Sequence, residues 1–269
     1  MRIEPSVKSE KRHGVKNDQS GLIYSAKVRL FWLSISILFL FIPLRCSSTP
    51  GKPNSAFMIT LQKFVFNAFF VNSYLLYDES RDCILIDASC HEEFEKEELA
   101  SFIISNKLKL TRNICTHCHV DHVLGNEFIA SRFGIFPEYH QSGEPFFLTI
   151  REIADSLGFR IGRVPRAKGY LADGDRVGLG NEDLKVLYTP GHAEGSICLY
   201  QEEQKFVITG DVLFRDTIGR TDLPTGDLDQ LVISIREKLF TLPDDVIVYP
   251  GHGPETTIGY EKRNNPFLR

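Results

Sequence analysis

Three histidines and an aspartate fall within six residues, in the run Thr116-His117-Cys118-His119-Val120-Asp121-His122. Imidazole and carboxylate are ligands expected for zinc, and they also serve iron or manganese. His117 and His119 lie two apart, so at the end of an extended strand their side chains share a face. Asp121 and His122 follow where the chain is expected to turn into a helix, and a loop there can aim both at a neighbouring point. One tight segment could thus serve two metal ions, with His117 and His119 on one and Asp121 and His122 on the other. The plain alternative is a group of solvated or core histidines; three imidazoles at this spacing beside a carboxylate favour metal.

Further ligands are expected at other strand ends. His192 closes Thr189-Pro190-Gly191-His192 behind LKVLY, Asp211 closes Thr209-Gly210-Asp211 behind KFVI, and His252 follows Tyr249-Pro250-Gly251 behind VIV. In each, a glycine beside the polar residue permits a sharp turn and close backbone approach. Each alone is weak; together, downstream of the histidine run, they form a constellation. His91 is placed at a helix start and His140 in a strand, and neither is assigned to metal. Cys115 and Cys118 are read as packing residues, not nucleophiles.

The elements that must position these residues follow from apolar periodicity. Strands are expected at 59–65, 73–77, 83–87, 113–116, 137–140, 176–179, 184–189, 196–200, 206–209 and 246–249. Helices are expected at 91–107, 123–133 (ended by Gly134), 144–157 (ended by Gly158) and 228–240, with a short tail behind the last strand. Strand-rich segments followed by helices occur twice, which predicts an α/β chain of two sheets between helix layers and fits a purely alternating parallel fold less well.

The 269 residues are 42% hydrophobic and 25% charged, an ordinary globular mix that excludes disorder, collagen or coiled coil as whole-chain descriptions. Residues 1–57 carry nine basic and three acidic residues, and the remainder 22 basic and 32 acidic, so the body is net −10. A body that acidic repels phosphate backbones, and nucleic acid is not expected as a substrate. The six cysteines make no disulfide framework in a chain this long and read as reduced thiols. Residues 1–57 are set apart as a leader, with a linker at 46–57, and residues 58–269 as the one globular domain. The apolar run 30–44 is short for a ~30 Å hydrocarbon core. The leader is read as a signal or anchor, or as upstream sequence before a start at Met58. The expected location is the cytoplasm, or export or anchoring through residues 1–57, and membrane contact is expected only if the 30–44 run is retained. Oligomeric state is left open.

The set His117-x-His119-x-Asp121-His122, then His192, Asp211 and His252, resembles the metallo-β-lactamase superfamily across residues 58–269. Within it, THCHVDHVLGN from Thr116, GDVLFRDTIGRTDLPTGD from Gly210 and YPGHGPETTIGYEKRNNPFL from Tyr249 resemble a compact form of the glyoxalase II-like, hydroxyacylglutathione hydrolase-related branch. The resemblance implies an αββα sandwich of two mixed sheets flanked by helices, with two divalent metal ions at one edge, zinc first and iron or manganese as alternatives. It implies His117, His119 and His192 on one metal, Asp121, His122 and His252 on the other, Asp211 bridging, and a structural role for Asp87 at the end of CILID. The implied activity is hydrolysis of a small-molecule thioester such as S-D-lactoylglutathione by a metal-activated hydroxide, with Asp121 orienting it and shuttling its proton. Lactamases of the best-known class carry a cysteine where Asp211 stands, which disfavours antibiotic hydrolysis. Only 17 residues follow His252, so the helical C-terminal domain of full-length glyoxalase II enzymes is not expected. Arg220, Lys262 and Arg263 lie near metal-bearing segments in sequence and are the candidates for holding an anionic substrate. The rival within the superfamily is a mononuclear-iron persulfide dioxygenase using His117, His192 and Asp211. A nuclease-type member and a non-catalytic scaffold with structural metals are the more distant alternatives.

Overall fold

The computed structural model describes residues 58–269; the leader, the apolar run and the linker lie outside the described residues. The first sheet comprises β1 (Thr60–Phe66), β2 (Val71–Tyr77), β3 (Asp82–Ile86), β4 (Lys109–Ile114), β5 (Pro137–Tyr139) and β6 (Gly169–Tyr170), in that order. β1 to β3 are antiparallel, while β3–β4, β4–β5 and β5–β6 are parallel. The change of direction follows from the connections: α1 (Glu93–Ser105), α3 (Asn126–Phe133) and α4 (Glu144–Ser156) are the crossovers that parallel neighbours require.

The second sheet runs in the order β14 (Thr256–Thr257), β13 (Ile247–Pro250), β10 (Phe206–Gly210), β9 (Ile197–Gln201), β8 (Glu182–Tyr188), β7 (Arg176–Leu179). Only β10–β13 is parallel, and α5 (Leu228–Ser234) is its crossover. A hairpin of β11 (Leu213–Phe214) and β12 (Thr217–Ile218) leaves the end of β10, and α6 (Ile258–Asn264) follows β14.

The central strands β2, β3, β9 and β10 are buried on both faces because both faces are covered. Leu76, Ile84 and Ile114 of the first sheet meet Val186, Leu199 and Ile208 of the second in one buried cluster. On the outer faces, Leu75 and Leu85 pack under Leu99 and Ile103 of α1, and Val207 and Val248 pack under Leu231 of α5 and Ile258 of α6. The layering is helix, sheet, sheet, helix, as the strand and helix rhythm predicted. Among the described residues no helix is long and apolar enough to cross a membrane.

Three local expectations differ from the structure. The helix expected at 123–133 is broken into α2 (Val120–Val123) and α3, because the Gly125 backbone N–H is drawn off to the Ala88 carbonyl at 2.7 Å. The tail behind β13 is not bare: Val248 pairs with Thr256 to add β14, and α6 is capped by the Thr257 hydroxyl, which accepts from the Tyr260 N–H. β4 ends at Ile114, so His117 and His119 do not stand on a strand; they project from the bend that follows it.

Candidate metal centre

Backbone bonds between loops gather the ligand-bearing segments at one edge of the sandwich. Asp87 N–H donates to the Ile114 carbonyl at 2.8 Å, Ile197 N–H to the Thr116 carbonyl at 2.8 Å, and Gly251 N–H to the Gly210 carbonyl at 2.8 Å. Asn72 N–H, from the other sheet, donates to the Gly251 carbonyl at 2.7 Å. The strand ends bearing Asp87, His117, His192, Asp211 and His252 are thereby fastened to one another. Gly251 is required where it stands, since a Cβ there would overlap Asp211 Oδ1 and lie 2.9 Å from His122 Cε1.

All seven predicted ligand residues meet here. Three groups of ligand atoms each lie within 4.8 Å of one another: His117, His119 and His192; His117, His122 and Asp211; Asp121, His122 and His252. His192 Nε2 is 3.0 Å from His119 Nδ1, and His122 Nε2 is 3.3 Å from His252 Nε2. Asp211 lies between the outer groups, with Oδ1 3.3 Å from His122 Nε2 and Oδ2 3.7 Å from His192 Nε2 and 3.4 Å from His252 Nε2. Asp121 Oδ2 is 3.5 Å from His252 Nε2.

The outward nitrogens show which lone pairs face inward. His122 Nδ1 contacts Asp87 Oδ2 at 2.9 Å, His192 Nδ1 the Arg220 carbonyl at 2.7 Å, and His252 Nδ1 the Phe69 carbonyl at 3.0 Å. Each partner can only accept, so each Nδ1 donates and the neutral ring directs a bare Nε2 inward. Thr116 Oγ1 spends its proton on Asp87 Oδ2 at 2.7 Å, so it accepts from His117 Nδ1 at 3.1 Å, and His117 Nε2 is also bare. His117 Nε2 and Asp211 Oδ1 are buried with no hydrogen-bond partner. Each of these two buried orphans costs ~1–3 kcal/mol in protein alone. Cations resolve that cost, and the donor set of imidazoles and carboxylates fits divalent metal ions.

The electrostatics agree. Burial works against charging His122, yet Asp211, Asp121 and Asp87 outweigh it and hold its pKa well above the ordinary histidine value. His252 is lifted to about 9 in spite of its burial, by hydrogen bonds to Asp121 and Asp211. Burial and neighbouring imidazoles push His117 down, and burial with His192 takes His119 to about 4. Burial opposes charging Asp211 as well, but His122 and His252 keep its carboxyl well below the usual range. A pocket that holds protons on two of its imidazoles and charge on its carboxylates takes up cations, and metal competes with those protons for the same lone pairs.

Of the residues that brace this set, Asp87 was the one the resemblance marked for a structural role. Asp87 accepts from Thr116 N–H at 2.6 Å, from Thr116 Oγ1 and from His122. The loop between β1 and β2, which carries the Phe69 carbonyl, is tied down by Asn67 Nδ2 donating to the Asp121 and Ser89 carbonyls, both at 2.9 Å. Buried Glu95 at the start of α1 accepts from Asn67 N–H at 2.6 Å, His91 N–H at 2.7 Å and Glu92 N–H at 2.9 Å. No local pattern announces Asn67 and Glu95. His91 sits edge-on to Phe159 and His140 stacks on Tyr188, so both are outside the cluster as expected. Cys115 and Cys118 are buried free thiols whose pKa values burial pushes up, as packing residues require.

The predicted substrate cations fare differently. A cleft of about 700 Å³ opens over His119, Asp121, His192, Asp211 and His252, and Arg220 is on its wall. Its guanidinium is held by Asp222 through two bonds of 2.7 Å, and it is the Arg220 carbonyl that serves the site. Lys262 and Arg263 do not line the cleft. Both turn to Asp244, at 2.8 and 3.1 Å, because α6 packs against the loop before β13 and not over the metal edge. Nearness in sequence to His252 misled the expectation.

The metallo-β-lactamase superfamily profile matches residues 66–252. Hydroxyacylglutathione hydrolase GloC of Haemophilus influenzae is 38% identical over 210 residues, covering 75% of this chain and 94% of that protein. Among solved structures, BLEG-1, a B3 metallo-β-lactamase, aligns with a TM-score of 0.70 at 30% identity over 78% of this chain and 99% of that one. TTHA1623, solved in a di-iron-bound form, aligns with a TM-score of 0.70 at 32% identity over 77% of this chain and all (100%) of that one. The chain belongs to the metallo-β-lactamase superfamily, a superfamily of metallo-hydrolases.

Proposed function

We propose that the protein is a metal-dependent thioester hydrolase of the glyoxalase II-like type, with residues 58–269 as its catalytic domain. The observation that carries this is the floor of the cleft: five imidazoles and two carboxylates bring their ligand atoms together beneath an open, substrate-sized space. In this reading His117, His119 and His192 hold one divalent ion, Asp121, His122 and His252 the second, and Asp211 faces both. Zinc is the first choice, and the di-iron form of TTHA1623 keeps iron in the panel. Bound there, such a pair supplies a water of lowered pKa and an electrophile for a carbonyl oxygen.

The chain's own residues do the rest. Asp121 orients the attacking water and takes its proton; its Oδ2 lies 3.5 Å from His252 Nε2 and 3.7 Å from His122 Nε2. Asp87, Thr116 and the Arg220 and Phe69 carbonyls lock the imidazole tautomers, so that no ring turns when substrate enters. Water adds to the thioester carbonyl, the C–S bond breaks, and the products are a carboxylate and a thiol. The GloC relative's name supports a hydroxyacylglutathione as the reference substrate.

The test is metal analysis of the full chain together with a panel of S-D-lactoylglutathione, a persulfide under oxygen-electrode recording, and a cephalosporin. Two metals per chain and oxygen-independent thiol release are expected. One iron with oxygen uptake points to the persulfide dioxygenase instead, and cephalosporin turnover without thiol release points to a lactamase.

A further inference from the structure

The cleft above the metal edge has a wall that the ligand chemistry does not use. Phe146, Ile150, Ile153 and Leu157 recur at intervals of four, three and four residues, which puts them on one face of α4 and its C-terminal turn. This stripe faces the cleft, and its outer end is wet: Ile153 is 39% exposed and Leu157 49%. Phe69 and Leu223 line the cleft as well. Phe69 is 42% exposed although its ring packs 5.6 Å from that of Phe159. The loop that carries Phe69 is pinned through Asn67 and Glu95, so the aromatic ring is presented from a fixed backbone.

Charge along the same wall is sparse. Among the described residues Arg220 is the one lysine or arginine lining the cleft, and it is engaged by Asp222. A glutathione moiety brings two carboxylates, and away from the metal edge these would find along the wall only an arginine already paired. An apolar group entering beside the ligands would meet α4 and Phe69 and release water from both.

Resting on the thioesterase reading, we propose that the preferred substrates carry an apolar acyl group, a straight aliphatic chain of medium length, seated along the α4 stripe with its carbonyl at the metal edge. The thiol portion is then left toward the mouth of the cleft and contributes less to selection.

The experiment uses the full chain loaded with metal and a series of acetyl, butyryl, hexanoyl and octanoyl thioesters of N-acetylcysteamine, an uncharged carrier, with S-D-lactoylglutathione alongside. Each added methylene is expected to raise kcat/KM roughly fourfold until the stripe is filled, and the hexanoyl thioester to exceed S-D-lactoylglutathione. Ile153→Ser is expected to lower the hexanoyl-to-acetyl ratio at least ~4-fold, the equivalent of one methylene or more. Leu148→Ser, on the same helix but outside the cleft, leaves that ratio unchanged. In parallel, S-butyl and S-octyl thioethers of the same carrier, which cannot be cleaved, are titrated by calorimetry. A flat chain-length series in both turnover and binding, or a preference for S-D-lactoylglutathione, overturns the apolar-acyl assignment and spares the hydrolase reading. Thioether affinity that rises with chain length, with no thioester cleaved, overturns the hydrolase reading and supports the apolar pocket.

Discussion

Replacing Asp87 with alanine removes one carboxylate that never touches the cleft, and the consequence can be worked from its partners. The side chain is 1% exposed and accepts from Thr116 N–H, Thr116 Oγ1 and His122 Nδ1. Three buried donors lose their acceptor at ~1–3 kcal/mol each, and the Thr116 hydroxyl can find relief by turning, which leaves ~2–6 kcal/mol for the other two. The backbone of Asp87 is left-handed, at φ 55°, a region where aspartate is tolerated and alanine costs about 1 kcal/mol more. The total, ~3–7 kcal/mol, takes much of the ~5–15 kcal/mol by which a domain is stable. Asp87→Asn retains one acceptor oxygen and should lose roughly half as much. Urea unfolding of the metal-stripped variants measures the stability term. Metal content after dialysis against a weak chelator measures the second effect, because a His122 ring free to turn no longer presents Nε2. The reasoning fails if Asp87→Ala unfolds within about 1 kcal/mol of the parent protein, the accuracy expected of such accounting, and still retains its full metal content.

Further outcomes follow from the same geometry. His119→Ala should lose metal and more than the roughly 10–100-fold in kcat/KM that outer partners of a metal site are worth, read from metal content after dialysis and from thioester turnover. Gly251→Ala drives a methyl into Asp211 and should cost ~1–3 kcal/mol of stability and weaken metal retention in a chelator competition. Lys262→Ala and Arg263→Ala should leave KM for thioesters unchanged, since both side chains pair with Asp244 outside the cleft; a rise in KM for either would restore them as substrate residues. In metal-stripped protein, His252 with its pKa lifted to about 9, and His122 lifted as well, contribute stability that is complete below the unfolded histidine value near 6.5 and lost as pH rises through 9. The urea midpoint should therefore fall over that window, and His252→Ala should flatten the fall.

Much of the architecture was legible because it is written in local periodicity. The strands from β1 to β4 and β7 to β10, and the helices α1, α4 and α5, fall where apolar spacing places them, within a few residues. The misses share a cause. The break between α2 and α3 is made by the Ala88 carbonyl, 37 residues before Gly125, and β14 exists because β13 offers Thr256 an edge. Neither partner is visible to a window read along the chain.

The site divides the same way. Residue types and spacing were enough to nominate His117, His119, Asp121, His122, His192, Asp211 and His252, since ligand chemistry belongs to side chains and the glycines beside them mark tight strand ends. Folding alone settled which nitrogen of each ring faces inward, because that is decided by acceptors brought from afar: Asp87 for His122, the Arg220 carbonyl for His192, the Phe69 carbonyl for His252. Folding likewise turned Lys262 and Arg263 away and laid the apolar stripe of α4 along the cleft. A side chain's chemistry travels with its residue, but its direction and its partners are set by packing between segments that the chain keeps far apart.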